Sequence, residues 1–257
     1  MTFMHRTAAL ALGLAVFGAP LSQPASAADK TKLTALVAPA NKSAFVDAVT
    51  AYEKGHPGIT IETDYAGSKI IVAQIQQGAA ADVILINTSS TPDIINLLDS
   101  PVTVFKNHTA LAVSKGSVGK IHDGKDLIKP GIRIGAGTPG SVPASYENDT
   151  VANMAKVYGK DFTEKYAANV TATKTDTPKL TAMLTEGLID AAIVFEADID
   201  SSKMVGIALP ANQQVVIPYA VASVKNSTHA AAAKDFATWL AGSEAAAIYK
   251  AHHHDLK

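Results

Sequence analysis

The chain contains no cysteine, and of its 257 residues only Arg6 and Arg133 are arginine. The first absence excludes disulfides, so the fold must be held by an ordinary apolar core. Alanine, valine, isoleucine and leucine dominate a composition that is 47% apolar, which suffices for one. The second absence removes the usual bidentate clamp for carboxylates and phosphates. A formal net charge of −1 leaves no electrostatic footprint for nucleic acid, and no nucleic-acid partner is expected. Catalytic signatures are missing as well. There is no G-x-S-x-G elbow, no H-E-x-x-H helix and no P-loop lysine. No cofactor and no resident metal are expected.

The N-terminus carries an export pattern. Met1 to Arg6 is a short basic leader, and Thr7 to Phe17 is an apolar run too short to span a bilayer. Ala25-Ser26-Ala27 matches the A-x-A cleavage triplet, which makes residues 1–27 a signal peptide and Ala28 the new N-terminus. The expected location is the periplasm. About 230 residues then remain, enough for one large domain or two small ones.

From Leu33 the pattern alternates short β-prone runs with helical spacing. Leu33–Val37, Ile59–Ile61 and Val83–Ile86 read as strands, separated by helices from about Ser43 and about Ser68. This β-α-β-α-β order with short connections predicts a parallel sheet wrapped by helices. A strand follows at His108–Ser114, and then a second α/β block. That block holds the strand-loop "GIRIGAGTPG", helices near Ser145–Tyr158 and Asp161–Ala168, a strand at Val170–Thr173, a helix at Pro178–Glu186 and a strand at Ala191–Phe195. "VVIPYAVASVKNS" carries the chain back, and helices at about His229–Leu240 and Ser243–Ala251 close it. The fold class expected is α/β with two lobes, each a mostly parallel sheet flanked by helices, joined by two crossing strands. Residues 28–111 and 222–257 would form one lobe and 112–221 the other, with Ala110–Val113 and Pro218–Val224 as the candidate crossings.

Small or hydroxyl residues recur where a strand hands over to a helix: Ala40-Asn41-Lys42-Ser43, Gly67-Ser68, Val142-Pro143-Ala144-Ser145 and Asp176-Thr177-Pro178, with Thr177 read as N-cap. Each start exposes unpaired N–H groups and the positive end of a helix dipole. Ordinary capping explains any one of them. Several aimed at one cleft would make an anion site without a cationic side chain. "GIRIGAGTPG" lacks the third glycine and acidic residue of a dinucleotide loop and reads as a tight strand-helix turn. The tail "HHHDL" reads as a mobile surface segment, and His56, His108, His122 and His229 as surface residues.

"AYEKGHPGITIETDYAGSKIIVAQIQQGAAADVILI" resembles the molybdate-binding periplasmic proteins of ABC transporters. "SVPAS" is similar to that family's V-P-A-G segment and "GLIDAAIVFEADI" to its "G…GIVY-x-SD" segment; "VIPYAVASVKNSTHAAAAKDFATWLAGSEAAAIYKAH" is similar to its hinge return and closing helices. The resemblance implies the two-lobe fold, a small tetrahedral oxyanion as ligand, an ABC-transporter membrane permease as partner, and a monomer. It places the family's second serine at Ser68 and its backbone donors at Ala144 and Thr177. The family's first serine falls at Ala40, beside Asn41, and its tyrosine at Phe195. Glu196 follows with a charge that would repel an oxyanion, and Lys69, beside Ser68, is placed to offset it.

Three readings compete. The first is capture of a molybdate- or tungstate-like oxyanion for transport, with no chemical step. In the second, the same fold binds a divalent metal or small organic solute. In the third, the chain is an exported hydrolase, which requires a nucleophile with a positioned base that the sequence does not suggest.

Overall fold

The computed structural model describes residues 30–256. The signal peptide expected at residues 1–27 therefore lies outside the described residues. β1 (Thr31–Val37), α1 (Lys42–Gly55), β2 (Ile59–Tyr65), α2 (Ser68–Gln76) and β3 (Val83–Asn87) form the first β-α-β-α-β unit. β1 lies between β2 and β3 and is parallel to both. β3 is an unbroken apolar run because both of its faces are covered. Val83 and Leu85 pack with Phe45 and Tyr52, whereas Ile84 and Ile86 pack with Ile71 and Ile75 of α2.

β4 (Leu98–Ser114) comes next, longer than its sequence suggests. Pro101 and register shifts at Asp99/Val102 and Thr103/Phe105 hide the alternation of its first half. The second block comprises β5 (Ile134–Gly137), α3 (Val142–Tyr158), α4 (Phe162–Ala168), β6 (Val170–Lys174), α5 (Thr177–Thr185), β7 (Ala191–Phe195) and β8 (Met204–Ala208). β9 (Val216–Val224), α6 (Ala230–Leu240), α7 (Ser243–Ala251) and β10 (Asp255–Leu256) return to the first. The strand order is β2-β1-β3-β9-β4-β7-β5-β6, with β8 and β10 both attached to β4.

β4 joins the halves. Up to His108 it pairs with β9, and from Thr109 it pairs with β7 and then β8. The return passage lies beside it, where Thr109 N–H donates to Val215 O at 3.0 Å and Val215 N–H donates to Thr109 Oγ1 at 2.9 Å. One core lies around Phe45, Tyr52, Phe105, Phe236 and Tyr249; a second lies around Ile134, Tyr146, Met154, Phe162 and Phe195.

The G-x-G of "GIRIGAGTPG" is explained by packing. A Cβ on Gly135 would lie 2.3 Å from Ile189 Cδ1, and one on Gly137 would lie 2.1 Å from the backbone N of Ala144. Only glycine lets the end of β5 approach the start of α3 so closely. The C-terminal tail is not mobile surface. His254 is buried on Phe105, its ring stacked at 4.3 Å, and its Nδ1 is bonded to Asn107 Oδ1.

Candidate ligand site

The sequence-predicted residues lie at the C-terminal ends of parallel strands in both halves, the edge where open α/β sheets bind ligands. In the first half, a 3₁₀ turn at Pro39–Asn41 follows β1 and leads into α1, and Ser68 begins α2 after β2. In the second half, α3 begins after β5, α5 after β6, and a 3₁₀ turn at Glu196–Asp198 follows β7. The two edges meet. Ala40 packs against the second core, and the Pro39–Asn41 turn contacts the Glu196–Asp198 turn.

Ser68 is buried, and its Oγ accepts the Asn87 N–H at 3.1 Å. β1 ends its pairing with β3 at Leu85, so it cannot serve Asn87, and Ser68 takes its place. With an acceptor role filled, the Ser68 hydroxyl proton is free to donate. Lys69 is exposed, and it forms no ion pair among the described residues. The Ala144 N–H donates to the Ser141 cap at a long 3.3 Å. Asp176, not Thr177, caps α5, accepting the Lys179 N–H at 3.0 Å. A carboxylate outcompetes a hydroxyl for this role, leaving Thr177 as the first residue of the helix.

Phe195 is fully buried and has no polar atom to offer, but Tyr146 lies against it with ring centroids 4.3 Å apart. The Tyr146 hydroxyl reaches Thr177 Oγ1 at 3.0 Å. A phenol thus stands at the start of α5 although β7 no longer supplies one. Burial raises the Tyr146 pKa, so the group stays a neutral donor. Sequence reasoning passed over this residue, although its position two residues beyond Ala144, on the first turns of α3, was a usable signal.

Asn41 is fully buried and Asn107 Nδ2 donates to its Oδ1 at 3.4 Å; Asn41 Nδ2 has no partner. Asp198 is half-buried as a residue, yet its Oδ2 is cut off from solvent and unpartnered. Burial pushes its pKa up to about 7, against a smaller opposing effect of the Phe195 N–H. Glu196 borders a separate groove of about 230 Å³ with Ala110, Gly206 and His253. His108 is held in the crossing region, its Nδ1 2.9 Å from Gln214 Oε1 and its Nε2 2.9 Å from Asp255, rather than free on the surface. Asn107 and Asp198 were not singled out in the sequence, and His254 only as part of the tail, because the contacts that bury them come from residues far apart in the chain.

Arg133 is spent on Asp190, at 2.8 Å, and on the carbonyls of Gly187 and Leu188. A larger surface hollow of about 490 Å³ opens at the N-terminal ends of β1 and β3, bordered by Lys32, Asp82 and His229. Asp82 is already satisfied there by Thr34 N–H and the Ser227 hydroxyl. Among the described residues no group of three or more His, Asp or Glu could hold a metal, and no helix is long and apolar enough to cross a membrane.

Two α/β halves joined by crossing strands, whose strand edges touch at the Pro39–Asn41 and Glu196–Asp198 turns, have the architecture of a two-lobe solute-binding protein. The chain belongs to the bacterial extracellular solute-binding protein family, whose model matches residues 33–254. It is 28% identical to the molybdate-binding protein ModA of Mycobacterium tuberculosis over 239 residues, covering 90% of this chain and 88% of that protein. It is 27% identical to ModA of Escherichia coli over 273 residues, covering 99% and 98%. The periplasmic molybdate-binding protein of Azotobacter vinelandii superposes with a TM-score of 0.72 at 19% identity, over 88% of this chain and 99% of that one. The family is one of binding proteins, not enzymes.

Proposed function

We propose that the protein is exported to the periplasm, captures a small tetrahedral oxyanion of the molybdate or tungstate type in the cleft, and delivers it as a monomer to the membrane permease of an ABC transporter. The observation that carries this reading is that residues with neutral donors begin turns and helices at the C-terminal strand ends of both halves, and that the two edges touch at the Pro39–Asn41 and Glu196–Asp198 turns. Ser68, Thr177 and Tyr146 contribute hydroxyls, Asn41 an amide, and α2, α3 and α5 their N-terminal dipoles. An anion satisfied by fixed neutral dipoles needs no counter-ion. Curated relatives named for molybdate binding, aligned over nine-tenths of the chain or more, support the same ligand class. Tyr146 takes over the hydroxyl missing at Phe195, and Asn41 the one missing at Ala40.

Capture would proceed by closure of the halves about β4 and the Val215 passage, burying the anion among donors that are already oriented. Isothermal calorimetry of residues 28–257 against molybdate, tungstate, sulfate, phosphate and divalent metals tests this. Saturable binding of a tetrahedral oxyanion is expected. Binding of a metal with no heat from any oxyanion would overturn it.

A further inference from the structure

Two polar atoms at the junction of the halves lack partners, and their chemistry is opposite. Asn41 Nδ2 is a donor and Asp198 Oδ2 belongs to a carboxyl, and both are shut off from solvent. They sit on the two 3₁₀ turns that touch across the cleft.

The direction of the Asn41 amide is set from the far side. His254 Nδ1 meets Asn107 Oδ1, and Asn107 Nδ2 meets Asn41 Oδ1. His254 Nε2 has no partner. A buried N–H without an acceptor costs more than a bare lone pair, which places the ring proton on Nδ1. Burial, then the neighbouring His252 and His253, push the His254 pKa down to about 4, so the ring is neutral. The chain of bonds therefore runs His254 to Asn107 to Asn41 and ends on a free N–H of the Asn41 amide.

Asp198 has no cation to hold its charge. Tyr146 from α3 and Tyr219 from β9 are the ionisable groups whose charge couples to it. Of the elements packed on its turn, β4 brings His108, held by Gln214 and Asp255, and α5 brings Lys179, tied to Asp176. The Pro39–Asn41 turn brings no ionisable group, and Glu196, on Asp198's own turn, borders the other groove. An ionised Asp198 facing an oxyanion would be two like charges in a closed cleft. A single proton between them converts that repulsion into a charge-assisted hydrogen bond.

We propose that the oxyanion binds together with one proton, held between a ligand oxygen and Asp198 Oδ2, while the Asn41 amide donates to a second ligand oxygen. The inference rests on the oxyanion reading above. A fully ionised dianion such as molybdate takes the proton from solution through Asp198, whereas hydrogen phosphate brings its own.

Calorimetry with molybdate at pH 6.5 and pH 8.5, each in two buffers of different ionisation enthalpy, counts the protons. Uptake approaching one proton is expected at pH 8.5. Apparent affinity should fall about 25-fold between the two pH values, given an Asp198 pKa of about 7 in the unliganded protein. Asp198→Asn, with an amide in place of the protonated acid, should bind with no proton uptake and no pH dependence over this range. Wild-type binding of molybdate that is pH-independent and proton-neutral would overturn the inference and leave the oxyanion reading standing. Failure of the wild type to bind molybdate, tungstate, sulfate or phosphate would remove both. The wild-type proton count holds whether or not the variant folds.

Discussion

Ser68→Ala separates a structural serine from a ligand-binding one, because the two roles would use different parts of the hydroxyl. Its oxygen accepts the Asn87 N–H at 3.1 Å, at a point where β1 no longer reaches β3. Loss of that acceptor strands a backbone donor and should cost about 1–2 kcal/mol. For a chain of this size each kcal/mol is worth roughly 2–4 °C, so the unliganded melting temperature should fall by about 2–8 °C. The hydroxyl proton is the part offered to the anion. A hydrogen bond to a charged group is worth about 1.5–3 kcal/mol, which predicts molybdate binding weakened about 10- to 150-fold. The assay is thermal denaturation with and without molybdate at about a thousand times the wild-type Kd. There the ligand should stabilise the wild type by about 4 kcal/mol. A variant weakened about 30-fold should lose roughly 2 kcal/mol of this, halving the ligand-induced shift. A lower unliganded melting temperature with an undiminished ligand shift would refute the reasoning and reduce Ser68 to a partner of Asn87.

Tyr146→Phe keeps the packing on Phe195 but removes the hydroxyl at Thr177, so molybdate affinity should drop about tenfold with a small change in stability, read by calorimetry and denaturant midpoint together. Gly137→Ala places a Cβ 2.1 Å from the Ala144 backbone N, so either β5 or the start of α3 must move. A loss of about 2–3 kcal/mol is expected by urea titration, with weaker oxyanion binding because the Ala144 N–H shifts. Burial alone would raise the Asp190 pKa, but hydrogen bonds from Arg133 and Ser117 hold it well below the usual carboxylate range. Its contribution is therefore complete above the unfolded-state pKa near 4 and is lost as pH falls toward the folded-state value. Arg133→Gln should destabilise the protein at pH 7, and the difference from wild type should narrow below about pH 4 in urea midpoints.

The βα alternation was legible because β3 and β7 are short apolar runs bounded by turn residues, and α1 and α2 show helical spacing. The first half of β4 was not, since Pro101, the polar residues around it and two register shifts break the period of two that a strand needs. β8 was missed as well: in Met204–Ala208 only Met204 is buried, and half-buried Val205 and Ile207 alternate with exposed Gly206 and Ala208 over just five residues. Asp176 and Thr177 stand next to each other, and both are cap-forming types, so the choice between them depends on which side chain reaches Lys179. The tail looked like mobile surface because three histidines in a row carry no apolar pattern. Phe105, 149 positions earlier, provides the stacking partner that buries His254.

The site divides along the same line. Ser68, Ala144 and Thr177 were readable because each belongs to a local strand-to-helix junction, where a few consecutive residues determine both backbone and donor. Replacements for lost side chains are not local. Phe195 carries no hydroxyl, and the nearest one comes from Tyr146 on another element, through a packed aromatic pair. Beside Ala40, the direction of the Asn41 amide is decided by Asn107 in the crossing strand and His254 near the C-terminal end of the described residues. A residue-by-residue comparison counts two missing hydroxyls. The folded structure adds what that comparison cannot count: a Tyr146 hydroxyl beside Thr177, a buried Asn41 amide N–H without a partner, and an equally unpartnered carboxyl oxygen, Asp198 Oδ2.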